Sequence, residues 1–537
     1  MTYDRDAFTA LQSGLVPMWP EMTMRRTDGG ARTLIVLSSI SVPVPPRIHP
    51  LLQAYEERYL FYVLLLANSP QARVVYVTSQ PVLPRLLDYY LNLLPGLDAA
   101  DARGRLTVVS VGDPTPRPLT QKILARPRLV QRLRSLVPDP ARALLLPFVT
   151  TPLEAELAVR LGVPVYGSDP DLGWLGTKSG SREVFAAAGV EHPAGATRLS
   201  CLGDVVDAVR VVRETAGARQ VMVNLDNAVS GFGNAVVTLD RSTDRRSVER
   251  AVRRMQLEDP ELDVDRFLAR VETERAIVEE RICGDQLPSP SAQLRASPLG
   301  EVELLSTHDQ ILGGPSGQTF EGCRFPADRR YATALREPAL AIGRELAARG
   351  VIGRFSVDFV VTRSDRGWRP LALEVNLRNG GTTHPMNTLA ALTDGSYDAR
   401  SGRLDSPAGH RCYVATDHLG GSGYASLTPD DVLDVVAEKG LQWDHRTHSG
   451  VVFHMVSAIA VGGHVGLTAI DRTPAMAARM FRRAKQALDA ATADEDRTVI
   501  DLTLPGPRKQ LPRVRLSTGA AAASGDAVVS WPRRPAT

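Results

Sequence analysis

The chain has 537 residues, ordinary proportions of hydrophobic (43%) and charged (23%) residues, and a formal net charge of only +3. At ~150 residues per domain, this length predicts roughly three to four domains and excludes a single small binding module. The balanced charge and an aromatic content of 5% argue against a nucleic acid partner. The longest apolar run, residues 60–67, is far shorter than the ~20 residues that span a membrane. We therefore expect a cytoplasmic protein that binds neither nucleic acid nor membrane.

Strands alternate with helices in the first third of the chain. Apolar runs predict strands over residues 33–38, 73–78, 106–111, 144–148 and 163–166, and the segments between them predict helices over 49–66, 84–93 and 152–161. Such alternation is typical of a parallel sheet with helices on both faces. Residues 31–170 are therefore predicted to form one α/β domain after an extension over residues 1–30. No Gly-x-Gly-x-x-Gly follows the first strand, so the fingerprint of a dinucleotide site is missing.

The pattern changes in the rest of the chain. Short strands, glycine-containing turns and a charged helical stretch over 241–272 predict an α+β domain with antiparallel sheet. A later strand over 450–461 and a helix over 474–490 indicate a further domain. The predicted units are residues 171–400, residues 401–492, and a disordered tail over 493–537 that is rich in Pro, Ala and Arg.

Two β-patterned runs, residues 355–362 and 371–378, are joined by a polar loop and predict a hairpin. Because side chains alternate along a strand, Glu374 and Asn376 project from one face, and Asp358 on the partner strand can join them. Two carboxylates and an amide oxygen are the hard ligands that Mg²⁺ prefers next to phosphate groups. The hairpin therefore predicts a magnesium site, with a solvated polar edge as the alternative.

Cationic and glycine-rich residues follow this hairpin at once. Arg378 projects from the same face and would add a fixed positive charge for a phosphoryl or acyl-phosphate oxygen. The residues after it permit close backbone approach and offer several hydrogen-bond donors: Gly380, Gly381, Thr382, Thr383 and His384. A solvated edge does not explain this run, whereas a binding segment does.

Two further elements precede the hairpin. Residues 221–238 form two strands around the glycine loop Ser230-Gly-Phe-Gly-Asn234, whose backbone amides can cradle phosphates. An ordinary hairpin turn is the alternative for this loop. Residues 276–282 are a strand that leads into a turn, and such a segment can offer backbone groups to the edge of an adenine.

In this order, after Lys178 and Arg182 on a helix, the motifs resemble the ATP-grasp superfamily, and within it the pheganomycin-type peptide ligases. The closer resemblance rests on Ser289-Pro-Ser291, the run from Ser306 to Gln318, Gly322-Cys-Arg-Phe-Pro326, the run from Glu374 to Pro385, and Gly450-Val-Val-Phe-His454. It covers residues 31 to 490. It implies an α/β pre-ATP-grasp domain, then α+β ATP-grasp domains, and the cofactors ATP and Mg²⁺.

The resemblance also implies roles for individual residues. Catalytic roles are implied for Lys178, Arg378 and His384, and metal ligation for Asp358, Glu374 and Asn376. ATP binding is implied for Lys178, Asn224, Ser230, Gly231, Phe232, Gly233, Asn234, Glu279, Glu280 and Ile282. Substrate contacts are implied for Ser291, His308, Gln310, Gly380, Gly381, Thr382 and Thr383.

The implied activity is ADP-forming ligation of a carboxylate to an amine. The γ-phosphoryl group of ATP moves to the carboxylate, and an amine then attacks the acyl phosphate to form an amide or peptide bond. We expect an amino acid or related carboxylate, an amine or peptide as the second substrate, a place in peptide natural-product biosynthesis, and a homodimer. A carboxylate–phosphate enzyme that makes no peptide bond is an alternative, and it would release ADP without an added amine.

One residue departs from the family pattern. The strand before the glycine loop usually carries a lysine that contacts ATP phosphates, and here that strand carries Asn224. Loss of a cation beside a triphosphate can weaken binding or transition-state stabilisation. Arg182, Arg354 and Arg378 are candidates to replace the lysine. The remaining alternative is a catalytically impaired ATP-grasp-like protein that binds nucleotide as a partner of another protein.

Overall fold

A computed structural model describes the fold. The described residues are 3–23, 32–68, 71–228, 233–241, 244–284, 287–314, 317–365, 367–421 and 423–493. The chain divides into a compact unit, Met1–Asp494, and a C-terminal segment, Glu495–Thr537. The tail predicted over 493–537 lies outside the described residues from residue 494 onward.

The N-terminal region contains the predicted parallel sheet. Its strands are β1 (Arg32–Leu37), β2 (Ala72–Thr78), β3 (Leu106–Ser110) and β4 (Ala143–Pro147), in the order β3-β2-β1-β4. Its helices are α1 (Arg5–Gln12), α2 (Leu15–Thr23), α3 (Leu52–Glu57), α4 (Leu65–Asn68), α5 (Pro84–Asn92), α6 (Ala99–Arg105), α7 (Leu119–Leu124), α8 (Pro127–Ser135) and α9 (Pro152–Leu161). The strand pairs are parallel, which confirms the predicted α/β fold class.

Three details of this region differ from the predictions. The predicted extension contains α1 and α2, which bury Phe8 and Leu15 in hydrophobic clusters. The predicted helix over 49–66 is interrupted by a 3₁₀ helix, Arg58–Leu64, whose residues are all buried and so present no polar face. The predicted strand over 163–166 is reduced to one isolated parallel bridge to β4.

The second sheet has five antiparallel strands. They are β5 (Gly195–Leu199), β6 (Gln220–Leu225), β7 (Asn234–Thr238), β8 (Gln256–Leu257) and β9 (Ala276–Glu280), in the order β5-β9-β6-β7-β8. The helices of this part are α10 (Lys178–Ala187), α11 (Leu202–Ala216), α12 (Arg245–Val252) and α13 (Val264–Glu274). The predicted charged helix over 241–272 is therefore two helices, with β8 between them.

The third sheet has eight antiparallel strands. They are β10 (Pro290–Ala296), β11 (Val302–Gly313), β12 (Thr319–Phe325), β13 (Gly353–Ser364), β14 (Gly367–Asn376), β17 (Cys412–Gly420), β18 (Gly450–His454) and β19 (His464–Asp471); a short pair, β15 (Ser396–Asp398) and β16 (Arg403–Asp405), stands apart. The order is β14-β13-β10-β11-β12-β17-β19-β18. Helices of this part are α14 (Arg336–Ala348), α15 (Thr383–Thr393), α16 (Pro429–Glu438), α17 (Ala458–Gly462) and α18 (Pro474–Ala493).

The eight-stranded sheet crosses the predicted domain boundary at residue 400. β12 and β17 pair antiparallel, so the C-terminal strands extend the same sheet that carries the β13–β14 hairpin. The predicted strand over 450–461 ends at His454, because Met455 adopts a left-handed conformation (φ 53°) and α17 follows. One large hydrophobic cluster packs the 3₁₀ helix Arg58–Leu64 against β18 and β19. This packing brings the N-terminal and C-terminal regions to the same site.

Candidate functional site

Two cavities meet at the end of the β13–β14 hairpin. The front cavity, of about 280 Å³, is lined by predicted site residues: Lys178, Asn234, Ser291, Gln310, Asp358, Glu374, Asn376, Arg378, Gly380, Gly381 and Thr382. The rear cavity, of about 290 Å³, lies toward the four-stranded sheet and includes Tyr62, Phe148, Tyr166, Arg354 and Asn379. Glu374, Asn376 and Arg378 line both cavities. The hairpin end is therefore the point at which ligands in the two cavities would meet.

The acidic residues of the hairpin face one another. Asp358 lies directly opposite Glu374 in the strand register, and the Nδ2 atom of Asn376 donates to Oδ2 of Asp358 at 3.2 Å. Burial, reinforced by the negative charge of Glu374, raises the pKa of Asp358 to about 6 although Ser291 donates to it. Two facing carboxylates that repel each other in a partly buried place form a site that a divalent cation would stabilise.

Lys178 connects the hairpin to the five-stranded sheet. It is the first residue of α10, and its Nζ atom lies 2.9 Å from Oε1 of Glu374 and 3.4 Å from the carbonyl oxygen of Ala228. Its backbone N–H donates to the carbonyl of Asp226. The lysine is therefore held between Ala228, which precedes the predicted glycine loop, and the β13–β14 hairpin.

Asn224 is bound to a carboxylate that also binds an arginine. Its Nδ2 atom donates to Oε1 of Glu279 at 3.0 Å, and NH1 of Arg182 lies 3.3 Å from Oε2 of the same side chain. Burial raises the pKa of Glu279, although Arg182 and Lys178 oppose the shift. Of the three predicted replacements for the missing lysine, Arg182 is the one that shares a partner with Asn224. Arg354 and Arg378 line the rear cavity instead.

Part of the glycine loop can be described. Ser230, Gly231 and Phe232 lie outside the described residues. A Cβ atom at Gly233 would come within 2.1 Å of Cβ of Ala228, so only glycine fits there. Asn234 donates through Nδ2 to Oε1 of Gln318 at 2.9 Å, which ties the end of the loop to the eight-stranded sheet.

The predicted adenine-binding segment follows β9. The amides of Glu280 and Arg281 donate to the carbonyls of Ala194 and Gln220, so both are used inside the sheet. Glu280 and Ile282 border a surface groove beside Gln220 that is separate from the front cavity. The prediction that residues 279–282 meet adenine stays a prediction.

Some residues of the glycine-rich segment after β14 hold a turn, and others line the front cavity. The N–H of Gly380 donates to Oγ1 of Thr383 at 2.9 Å, and a Cβ atom at Gly381 would lie 2.5 Å from the ring of Phe320. Gly380, Gly381 and Thr382 line the front cavity as predicted for substrate contacts. Thr383 is buried, its hydroxyl holds the turn, and it does not line the front cavity, so its predicted substrate contact stays a prediction.

His384 lies behind the cavity wall. It is 2% exposed, and its Nε2 atom is 2.9 Å from Nε2 of His454, which is 2.8 Å from Oδ1 of Asp417. Arg58 donates to the other oxygen of Asp417 at 2.6 Å, and, although burial opposes it, Arg58 and the histidines hold the pKa of Asp417 well below its usual range. His384 is therefore buried in a hydrogen-bonded chain with His454 and Asp417 and does not line the front cavity, and its predicted catalytic role stays a prediction.

His308 is buried as well. It shares a sheet face with Ser291, its register partner, but the ring is fully buried and its Nε2 atom lies 2.6 Å from the hydroxyl of Tyr413. Burial lowers the pKa of His308 to about 3. The rings of Tyr413 and Phe325 cover it. His308 is therefore a core residue, while Ser291 and Gln310 reach the cavity.

Residues that the sequence did not single out complete the front cavity. Arg58 and Asp417 line it from opposite ends of the chain, together with Phe148 and His418. Arg58 and Asp417 are 359 positions apart, so no spacing could link them. The available signal was an acidic residue inside a strand, which Asp417 provides in β17.

Comparison with known proteins identifies this arrangement. Residues 53–163 match the Pre ATP-grasp domain, residues 262–399 the IQCH-like ATP-grasp domain, and residues 431–484 the PGM1 C-terminal domain. The chain is 33% identical over 448 residues, 82% of its length and 90% of the relative's, to the L-propargylglycine–L-glutamate ligase of Streptantibioticus cattleyicolor. The chain belongs to the ATP-grasp superfamily, among the pheganomycin-type ligases, and is an ATP-grasp carbon–nitrogen ligase. The predicted family and enzyme class are confirmed.

Two other similarities are more distant. The IQ motif-containing protein H of Danio rerio is 23% identical over 454 residues, which are 74% of this chain and 42% of that protein. The biotin carboxylase domain of Hydrogenobacter thermophilus 2-oxoglutarate carboxylase, solved with MgADP, ADP and bicarbonate, has a TM-score of 0.51 at 12% identity and covers 85% of this chain and 90% of that one. The second similarity supports the fold. In the described part of the chain, no helix has the length and apolar character needed to cross a membrane.

Proposed function

We propose that the chain uses ATP and Mg²⁺ to join an amino acid carboxylate to the amine of a second amino acid or a peptide, with release of ADP and phosphate. The observation that carries this proposal is the pair of facing carboxylates, Asp358 and Glu374, with Arg378 between the two cavities. The relative from Streptantibioticus cattleyicolor, whose name contains two amino acids, supports amino acids as the substrate class.

The donor set of the hairpin fits Mg²⁺. Asp358, Glu374 and Asn376 offer only hard oxygen ligands, and burial, with the charge of Glu374 adding to it, raises the pKa of Asp358 to about 6. Mg²⁺ in this place would neutralise phosphate charge and orient the phosphate oxygens. Lys178, now paired with Glu374, would contact the phosphate chain from the other side.

The chain's own residues then have distinct tasks. An oxygen of the substrate carboxylate attacks the γ-phosphorus, and the bond from that phosphorus to the β–γ bridging oxygen breaks, so ADP leaves with the electron pair. Arg378, which lines both cavities, would offset the negative charge of the transferred group. The amine nitrogen next attacks the acyl carbon, the bond from that carbon to the phosphate oxygen breaks, and the nitrogen loses one proton.

Asn224 is compatible with activity. Arg182 is ion-paired with Glu279, the carboxylate that Asn224 binds, so a guanidinium group lies near the position of the usual lysine. This favours the active ligase over the impaired nucleotide-binding partner. The predicted cytoplasmic location and homodimer remain predictions, and light scattering of the purified chain tests the dimer.

The first experiment titrates Mg·ATP calorimetrically into the wild type, into Glu374→Gln, and into Glu301→Gln. Glu301 is an exposed carboxylate in a turn of the same sheet and serves as the matched control. We expect micromolar binding that is lost in Glu374→Gln and kept in Glu301→Gln. A folded wild type that does not bind Mg·ATP would refute the ligase proposal and favour the partner protein.

The second experiment traps the acyl phosphate. Hydroxylamine replaces the unknown amine, so each amino acid whose carboxylate is phosphorylated gives a hydroxamate together with ADP. We expect hydroxamate only with ATP, Mg²⁺ and particular amino acids. Amide formation with an amino acid amine then completes the test. Release of ADP that needs no amine, and that never leads to an amide, would instead favour the carboxylate–phosphate enzyme.

A further inference from the structure

Two arginines in the rear cavity have no acidic partner. Arg354 and Arg378 line this cavity, and among the residues that the structure describes neither has a carboxylate within ion-pair distance. The three acidic side chains of the cavity have other partners: Glu374 is paired with Lys178, Asp226 accepts a backbone N–H at 2.6 Å, and Asp169 accepts from the hydroxyl of Tyr3 and from a backbone N–H. Enclosed guanidinium groups are costly without a counter-ion. The rear cavity is therefore suited to an anion that enters from outside.

The backbone fixes Arg354 at this place. Gly353 begins β13 with φ 102°, and a Cβ atom there would lie 3.1 Å from the Cα atom of Gly167. The hydroxyl of Ser168 donates to the carbonyl of Ile352 at 2.9 Å. The start of β13 is thus locked against the segment that follows α9. The backbone of Arg354 is therefore fixed at the cavity wall.

Further groups at the cavity suit a carboxylate. The rings of Tyr62 and Tyr166 line it, and the hydroxyl of Tyr166 is buried close to the guanidinium groups of Arg295 and Arg354. A guanidinium fork and an O–H donor are the groups that recognise a carboxylate with directional hydrogen bonds. Burial lowers the pKa of Arg354, but an arginine stays protonated in proteins, so the charge is available.

The two arginines have different positions. Arg378 lines both cavities beside Glu374 and Asn376, where phosphoryl transfer is proposed, whereas Arg354 lines the rear cavity alone. We propose that Arg354 binds a second, non-reacting carboxylate of the acyl-donor substrate, so that this substrate is an amino acid with two carboxylates. The inference rests on the proposed function. A cavity of about 290 Å³ lies at the lower end of the range for small-molecule sites, which favours a single amino acid over a peptide.

The test uses the hydroxamate assay with three donors of similar size. L-Glutamate has two carboxylates, L-glutamine has an amide in place of one, and 4-aminobutyrate lacks the α-carboxylate. The variants are Arg354→Gln, Arg354→Lys and the control Arg363→Gln. Arg363 is an exposed arginine on the same strand that stacks on Trp368 at 5.7 Å. L-Aspartate and its amide form a second matched pair.

The wild type should turn over one dicarboxylic amino acid at least ~30-fold more efficiently than its monocarboxylic analogue, because a buried charge would otherwise stay unpaired. Arg354→Gln should remove this preference by raising the KM for the dicarboxylate, with the KM for ATP unchanged. Arg354→Lys should restore part of it, since the charge returns without the fork. Arg363→Gln should behave as the wild type.

Other results would overturn the inference, and they are distinguishable from failure of the proposed function. Absence of hydroxamate with every amino acid would refute the ligase proposal itself. If the wild type forms hydroxamate from monocarboxylic and dicarboxylic donors with equal efficiency, only the role of Arg354 is refuted. The same holds if Arg354→Gln keeps the wild-type preference for the dicarboxylic donor. An increase in the KM for ATP in Arg354→Gln would show that Arg354 binds a phosphate group instead. Mg·ATP titration and thermal melting check that each variant is folded.

Discussion

The substitution Asp358→Asn should stabilise the metal-free protein while it abolishes Mg·ATP binding. Asp358 faces Glu374 across the hairpin, and burial together with this neighbour raises its pKa from 3.8 to about 6. The folded state therefore disfavours the ionised form that exists near neutral pH. An amide of nearly the same shape removes the charge, and it also removes an anionic ligand from the proposed metal site.

The magnitude follows from the pKa shift. A rise of roughly two units corresponds to about 3 kcal/mol of destabilisation once the carboxylate is ionised in both states. Because Asp358 lines an open cavity, solvent reduces this amount, and we expect a gain of ~1–2 kcal/mol in Asp358→Asn. The sign depends on pH: the unfolded carboxyl ionises first as pH rises from about 4, so the penalty is complete above pH 6 and absent below pH 4.

Thermal melting of the metal-free wild type and of Asp358→Asn at pH 4, 5, 6 and 7.5 measures the effect. The melting temperature of Asp358→Asn should be ~2–6 °C higher at pH 7.5, and the difference should vanish toward pH 4. Asp365→Asn, at the exposed tip of the same hairpin, is the control and should change neither property. A lower melting temperature for Asp358→Asn at pH 7.5, or retained Mg·ATP affinity, would refute the electrostatic reasoning.

Three further predictions concern buried charges. Burial lowers the pKa of His308 to about 3, so between pH 6.5 and 3 only the unfolded state binds a proton at this residue. The free energy of unfolding therefore falls by about 1.4 kcal/mol per pH unit over this range. Acid unfolding of His308→Gln should be less steep than that of the wild type. Arg182→Gln should weaken Mg·ATP binding in calorimetry, whereas Asn224→Lys should improve it little, because Arg182 already supplies the cation; a large gain in Asn224→Lys would favour the impaired protein. Asp417→Asn should cost ~3–5 kcal/mol in denaturant unfolding, because it leaves Arg58 buried without its partner.

Local sequence patterns were sufficient to predict the strands in which apolar residues alternate or form a continuous run. The alternation along residues 371–376 placed Glu374 and Asn376 on one face, and the register later put Asp358 opposite Glu374. The strands of the parallel sheet were located within about a residue of their ends because each is an apolar run bounded by turns. The prediction of one helix over residues 49–66 was wrong for the opposite reason. A segment buried on all sides has no amphipathic period to reveal where α-helix gives way to 3₁₀ helix.

Contacts between residues far apart in the sequence could not be predicted from the periodicity of apolar and polar residues. The sequence placed His384 in a binding segment, but its partner His454 comes from β18, and Asp417, which binds His454, comes from β17. Likewise, Arg354 was considered only as a substitute for a lysine, because nothing near it in sequence indicates that it borders a cavity with Tyr62 and Tyr166. Such assignments depend on which elements pack together, and tertiary packing decides that.

The C-terminal region is part of the site rather than an appendage to it. Because β17 pairs with β12, Asp417 is carried to the front cavity on the same sheet that carries Asp358 and Glu374. Asp417 is also the counter-ion of Arg58, which comes from the N-terminal region. Each region therefore supplies a charge that would be unpaired without the other. The cavity at the hairpin end thus requires the N-terminal and C-terminal regions together, and substrates that enter it contact both.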